Sequence, residues 1–167
     1  PLETCIRAAE IGKKHNIPIL LNPAPARSLP KSFLQMVDII IPNEVEVSQL
    51  TGINVDDLEL LQKAGSRLME LGPKLVIITL GERGAFLMDS ERGLLEKSFT
   101  VNVVDPTAAG DAFCGGFATI LMSGVTTQEA LRYGNACGAL ATTVLGAEPS
   151  LPNRDAVETF LFINNSR

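Results

Sequence analysis

Three short apolar runs constrain this chain more than anything else in it: Ile17–Leu21 (IPILL), Val37–Ile41 (VDIII) and Lys74–Thr79 (KLVIIT). Each has the length of a strand, and helical patterns separate them. Leu2, Cys5, Ile6 and Ala9 recur at helical spacing over 2–15, and Leu60, Leu61, Ala64, Leu68 and Leu71 share one face over 56–71. Strands alternating with helices fold as an α/β unit with a largely parallel sheet. Runs this apolar suit a sheet covered by helices on both faces. The expected architecture is therefore three-layer α-β-α.

Local signals place the element ends. Asn22-Pro23-Ala24-Pro25 fixes a turn after the first run, and a short helix is expected over 31–36. Pro42 ends the second run. Asn43 can cap a helix reaching Thr51, with Glu46 at the reciprocal position of a capping box and Gly52 as the stop. Gly81-Glu82-Arg83-Gly84 turns the chain into a strand over 85–89, and a hairpin-like stretch follows over 93–104. Further helices are expected over 109–123, 127–145 and 154–163. With no repeat, linker or low-complexity tract, residues 1–167 read as one compact unit.

A net charge of −5, with scattered cations, argues against a basic nucleic-acid-binding face. No apolar run approaches the roughly 20 residues a membrane span needs. Cys5, Cys114 and Cys137 lack metal-ligand spacing and read as reduced, buried thiols. His15 beside Lys14 and Asn16 is a surface or filler residue rather than a ligand. The chain opens on Pro1 with no capping residue and no initiator Met, which reads as a start within a longer protein.

In open α/β sheets, ligands collect at the carboxyl ends of strands. The segment after the hairpin-like stretch is the most informative: Asp105-Pro106-Thr107-Ala108-Ala109-Gly110-Asp111. Small residues at a helix entry expose backbone N–H groups, and with the helix dipole these make an anion site. An isolated Asp there is ordinarily just a first-turn acid. A carboxylate beside a bound phosphate makes chemical sense if it works on the hydroxyl attacking phosphorus. There is no GxxxxGK[ST], and no strand is followed by GxGxxG, so neither a P-loop nor a dinucleotide fold is indicated.

Taken together, Asn22-Pro23-Ala24-Pro25-Ala26-Arg27, Pro42-Asn43-Glu44-Val45-Glu46, Thr79–Gly84, Val104–Phe113 and Gly146–Ser150 resemble the ribokinase branch of the ribokinase/PfkB carbohydrate kinase family. The resemblance runs from Pro1 to about residue 163. It implies the C-terminal, ATP-binding and catalytic half of a ribokinase-like domain, without the N-terminal half and lid. It also implies roles. Asp111 is the base toward a sugar's primary hydroxyl, and the amides of Ala108, Ala109 and Gly110 form an anion hole. Asn43 and Glu46 organise Mg²⁺, while Thr79, Gly81, Glu82 and Gly84 border ATP. Asn135 stands near the adenine. Asp105, Thr107, Ala141, Val144, Gly146 and Ser150 form a K⁺ site built largely from backbone oxygens. Pro106 and Ala108 depart from the commoner Thr and Gly of the signature.

The reaction implied is ATP-dependent phosphorylation of a sugar, D-ribose first, with fructose, 2-keto-3-deoxygluconate or a nucleoside as alternatives. For the isolated chain, the favoured reading is a nucleotide-binding module without activity by itself, because the acceptor sugar would have few contacts. The resemblance further implies small-molecule partners only, a homodimer and a cytoplasmic location.

Overall fold

A computed structural model describes residues 1–165. They divide into two compact units, the first of Pro1–Leu80 and Phe86–Leu95, the second of Gly81–Ala85 and the chain from Glu96 onward. The sequence reads as one unit because the chain passes between them at Leu80–Gly81, Ala85–Phe86 and Leu95–Glu96, the last two inside strands, where no linker composition marks a boundary.

The first unit carries helices α1 (Leu2–Lys14), α2 (Lys31–Leu34), α3 (Glu44–Thr51) and α4 (Leu58–Met69). Its sheet comprises β1 (Leu20–Leu21), β2 (Ile39–Ile40), β3 (Leu75–Thr79), β4 (Ala85–Met88) and β5 (Gly93–Glu96), in that spatial order. β1, β2 and β3 are parallel, with Leu20 opposite Ile39 and Ile39 opposite Leu75. β3 leads into β4 through the single 3₁₀ turn Gly81–Arg83. β4 leads into β5 through a turn closed by the Asp89 N–H donating to the Arg92 carbonyl at 3.1 Å. Connections this short permit only antiparallel pairing, so the sheet has a parallel half and a hairpin half.

The strands are shorter than the apolar runs that announce them. Ile17 is exposed, and Pro18 has no N–H to give a ladder. Asp38 begins no strand. Its carboxylate accepts from Lys13 at 2.6 Å and from the Ile19 N–H at 3.0 Å, tying α1 and the approach to β1 onto the head of β2. Of the stretch 93–104, only Gly93–Glu96 is strand. The core packs Ile40, Val47, Val76, Ile78 and Phe86 against the α4 stripe Leu61, Ala64 and Leu68.

The second unit is built on α5 (Ala109–Leu121), α6 (Thr127–Ala141) and α7 (Arg154–Asn165). α5 and α6 approach closely because glycines face bulk. A Cβ on Gly134 would stand 3.1 Å from the Phe113 ring, and one on Gly116 would overlap the Cys137 sulfur. Ala112, Tyr133, Ala136, Cys137, Ala141 and Val157 form the core beside Phe99 and Phe160, whose rings meet edge to face at 5.1 Å. α6 stops at Ala141 rather than 145. The hydroxyls of Thr142 and Thr143 bond back to the Ala139 and Leu140 carbonyls at 2.7 Å each, competing with helical propagation.

The expectation of three buried thiols needs correcting. Cys137 is buried, Cys114 half-buried and Cys5 exposed, because Cys5 lies off the Ile6–Ala9 face of α1. Burial pushes the Cys137 thiol up to about 11, which makes it an inert packing group. No helix among the described residues is long and apolar enough to cross a membrane.

Two backbone positions in the second unit carry positive φ with consequences. Gly84 has φ 99°, and a Cβ there would overlap the Glu96 carbonyl and reach 2.6 Å from the Ser98 nitrogen. Gly84→Ala is expected to destabilise by about 2 kcal/mol or more, read as a lower urea midpoint. Ala108 caps α5 with φ 62°, a conformation costing a non-glycine residue roughly 1 kcal/mol. Glycine's own chain entropy largely offsets that gain, so Ala108→Gly is expected to hold stability within about 0.5 kcal/mol. Ala108→Val, β-branched at positive φ, is expected to lose about 1–2 kcal/mol in the same titration.

Candidate active site

In the first unit, the ends of β2 and β3 bring Asn43, Glu46 and Thr79 together. Asn43 pairs with Thr79 in a parallel bridge, and the Thr79 N–H donates to the Pro42 carbonyl at 2.9 Å. The capping box forms as the sequence indicates. Asn43 Oδ1 accepts from the Glu46 N–H at 2.9 Å, and Glu46 Oε2 accepts from the Asn43 N–H at 2.8 Å. Glu46 is only 5% exposed, an unusual burial for a carboxylate, made tolerable by that bond and the α3 dipole. The box uses one carboxylate oxygen and leaves Oε1 and the Asn43 amide nitrogen outside it.

In the second unit, Gly81 and Glu82 are exposed on the 3₁₀ turn, and Gly84 rests on the backbone of Glu96–Ser98. Asn135 lies on α6, 5% exposed, with Nδ2 donating to the Glu96 and Lys97 carbonyls at 3.2 and 3.3 Å. Its amide hydrogens therefore serve protein backbone.

The loop entering α5 is held from several sides. The Thr142 carbonyl accepts from both the Val104 and Asp105 N–H groups, at 2.8 and 3.0 Å. Asp105 Oδ1 accepts from the Thr107 N–H and Oδ2 from the Gly146 N–H, each at 2.9 Å. The Thr107 side chain, then the Gly146 and Thr107 amides, hold the Asp105 carboxyl below the ordinary aspartate range. A Cβ on Gly138 would stand 3.2 Å from the Ala109 carbonyl, so α6 runs close under this corner.

At the corner itself, the Ala109 N–H donates to the Pro106 carbonyl at 3.2 Å and the Ala112 N–H to the Ala108 carbonyl at 2.8 Å. Among the described residues, the amides of Ala108, Gly110 and Asp111 have no protein acceptor. The donors offered are thus two of the three expected, with Asp111's own added. Asp111 is exposed in the first turn of α5, and its carboxylate has no partner among the described residues. The arrangement can receive an anion on backbone donors beside a free carboxylate.

Of the residues expected around a monovalent cation, Asp105, Thr107 and Gly146 are joined directly. The Val144 N–H donates to the Ala141 carbonyl at 3.4 Å, and the buried Ser150 hydroxyl donates to the Ala147 carbonyl at 2.7 Å. An all-oxygen donor set suits a hard cation. No group of three or more His, Cys, Asp or Glu side chains among the described residues is placed to hold a metal. Sequence reasoning missed Thr142, which acts through its carbonyl, and Gly138, which acts through lacking a side chain. Neither leaves a motif.

The chain matches the model of the pfkB family carbohydrate kinases over residues 1–154. It is 42% identical over 161 residues to the ribokinase of Haemophilus influenzae, covering 96% of this chain and 53% of that protein. It is 37% identical over 164 residues to the deoxyribokinase of Salmonella typhi, covering 98% of this chain and 54% of that protein. The structure of Arabidopsis thaliana ribokinase complexed with ribose and ATP superimposes with a TM-score of 0.92 at 34% identity, covering 96% of this chain and 53% of that one. The chain thus spans about half the length of these relatives. Fold and sequence agree, and the chain belongs to the pfkB family of carbohydrate kinases.

Proposed function

We propose that this chain is the ATP-binding and catalytic half of a sugar kinase that transfers the γ-phosphoryl group of ATP to a primary hydroxyl, D-ribose being the first acceptor to test. The observation carrying the reading is the α5 corner: the amides of Ala108, Gly110 and Asp111, beside the Asp111 carboxylate, have no partner among the described residues. The ribokinase relative supports ribose. The deoxyribokinase relative keeps a 2-deoxy sugar as the second acceptor.

Phosphoryl transfer is chiefly positioning and charge stabilisation. The amides receive charge as it spreads over the transferring group. Asp111 orients the alcohol and takes its proton as the alcohol oxygen bonds phosphorus and the β–γ bridging oxygen leaves. Little early deprotonation is asked of that base, because the transition state is loose. Thr79, Gly81, Glu82 and Gly84 border the nucleotide. Asn43 and Glu46 would hold Mg²⁺ through oxygens and water. Asp105, Thr107, Ala141, Val144, Gly146 and Ser150 would hold K⁺. These ions would supply positive charge to the phosphates and to the corner, respectively. The unbridged thiols are in keeping with a cytoplasmic setting for the full-length protein, and the homodimer rests on the family resemblance alone.

Asp111→Asn in the full-length protein is expected to lower kcat by about 10² or more while ATP affinity by calorimetry is kept. Near-normal turnover would remove Asp111 as the base. A screen of ribose, deoxyribose, fructose and nucleosides identifies the acceptor. Replacing K⁺ by Na⁺ at constant ionic strength is expected to slow steady-state turnover. Equal rates would sink the cation site.

A further inference from the structure

Asn135 was expected beside the adenine, yet its amide hydrogens are spent on the Glu96 and Lys97 carbonyls, at 3.2 and 3.3 Å, and the residue is only 5% exposed. One turn earlier on α6, Arg132 pairs with Glu96 Oε1 at 3.2 Å and lies 5.0 Å over the Phe99 ring. α6 therefore grips the segment 96–99 by backbone, by charge and by ring.

That segment supports something in turn. Gly84 lies so close to it that any Cβ would overlap the Glu96 carbonyl and stand 2.8 Å from the Lys97 carbonyl carbon. Gly84 closes the turn begun at Gly81, its N–H donating to the Gly81 carbonyl at 3.1 Å. A mechanical line runs from Asn135 through the 96–98 backbone to the Gly81–Gly84 turn, all within the second unit.

We infer that Asn135 is a positioning residue: it sets the Gly81–Gly84 turn for nucleotide by fixing the backbone of Glu96–Ser98, and it does not read the base. This rests on the proposal that the turn borders ATP. The ion pair of Arg132 with the Glu96 side chain ties the same segment to α6, so it shares the role. A positioning residue affects every nucleotide using the turn. A base contact discriminates among bases, since a site that hydrogen-bonds one group rejects the ligand lacking it.

The test uses the full-length protein with ATP and with inosine triphosphate, whose base lacks the exocyclic amine. Asn135→Ala is expected to raise KM for both by the same factor, about tenfold for the loss of two modest hydrogen bonds. kcat at saturation should stay within about twofold, as for lost uniform binding. Without nucleotide, hydrogen exchange at the amides of 96–98 and at Gly84 should accelerate. Asn135→His, which retains a ring N–H donor, should recover part of both effects. Should Asn135→Ala fail to fold, Glu96→Gln keeps Asn135 and loosens the same segment, and a smaller, base-independent rise in KM is expected. A penalty confined to ATP, or exchange unchanged in Asn135→Ala, would overturn the inference. Failure of the unaltered protein to bind either triphosphate would instead overturn the nucleotide reading of the turn, and this inference with it.

Discussion

The α5 corner depends on backbone donors being left unpaired in a loop that nonetheless keeps its shape. A helix start ordinarily satisfies its first amides with a side-chain cap, as Asn43 and Thr126 do for α3 and α6. Ala108 has no side chain to cap with. Order must come from outside the turn, and it comes from the end of α6. The Thr142 carbonyl takes two donors, and Asp105 is clamped between Thr107 and Gly146. Acidifying the medium through the depressed range of the Asp105 carboxyl weakens that clamp, because protonation removes the charge those donors favour.

This explains the composition of α6. Glycine inside a helix costs roughly 1 kcal/mol relative to alanine, yet α6 carries Gly134 and Gly138. Each lies where a methyl group would press on α5: Gly134 on the Phe113 ring, Gly138 on the Ala109 carbonyl. The helix gives up intrinsic stability for closeness. Closeness fixes the corner to an element that also holds Glu96–Ser98 through Asn135.

Legibility in the sequence follows the range of the interactions. The α3 box was readable because its donors and acceptors lie three residues apart and depend on side-chain type. The α4 stripe was readable from the spacing of Leu61, Ala64 and Leu68. The start of α5 was readable from Ala108-Ala109-Gly110-Asp111, small residues and an acid at a helix entry, whereas a role for Asp111 came only through the resemblance. The partners of Asn135 were not readable, because they are carbonyls 38 and 39 residues away, and a carbonyl looks the same on every residue. The early end of α6 was missed for a related reason, Thr142 and Thr143 being tolerated in helices until their hydroxyls turn back on the chain.

The two carboxylates assigned to phosphate chemistry differ in how much order they bring. Glu46 is buried, with one oxygen pinned to the Asn43 N–H, so its other oxygen is aimed before any ligand arrives. Little side-chain entropy remains to be lost when it is used. Asp111 is exposed and has no partner among the described residues, and the dipole of the helix it begins favours it in place. On the proposed reading this division is physically sensible. A group that holds an ion through water gains from being set in advance. A group that must accept a proton only once an alcohol is in line loses nothing by waiting for that alcohol to orient it.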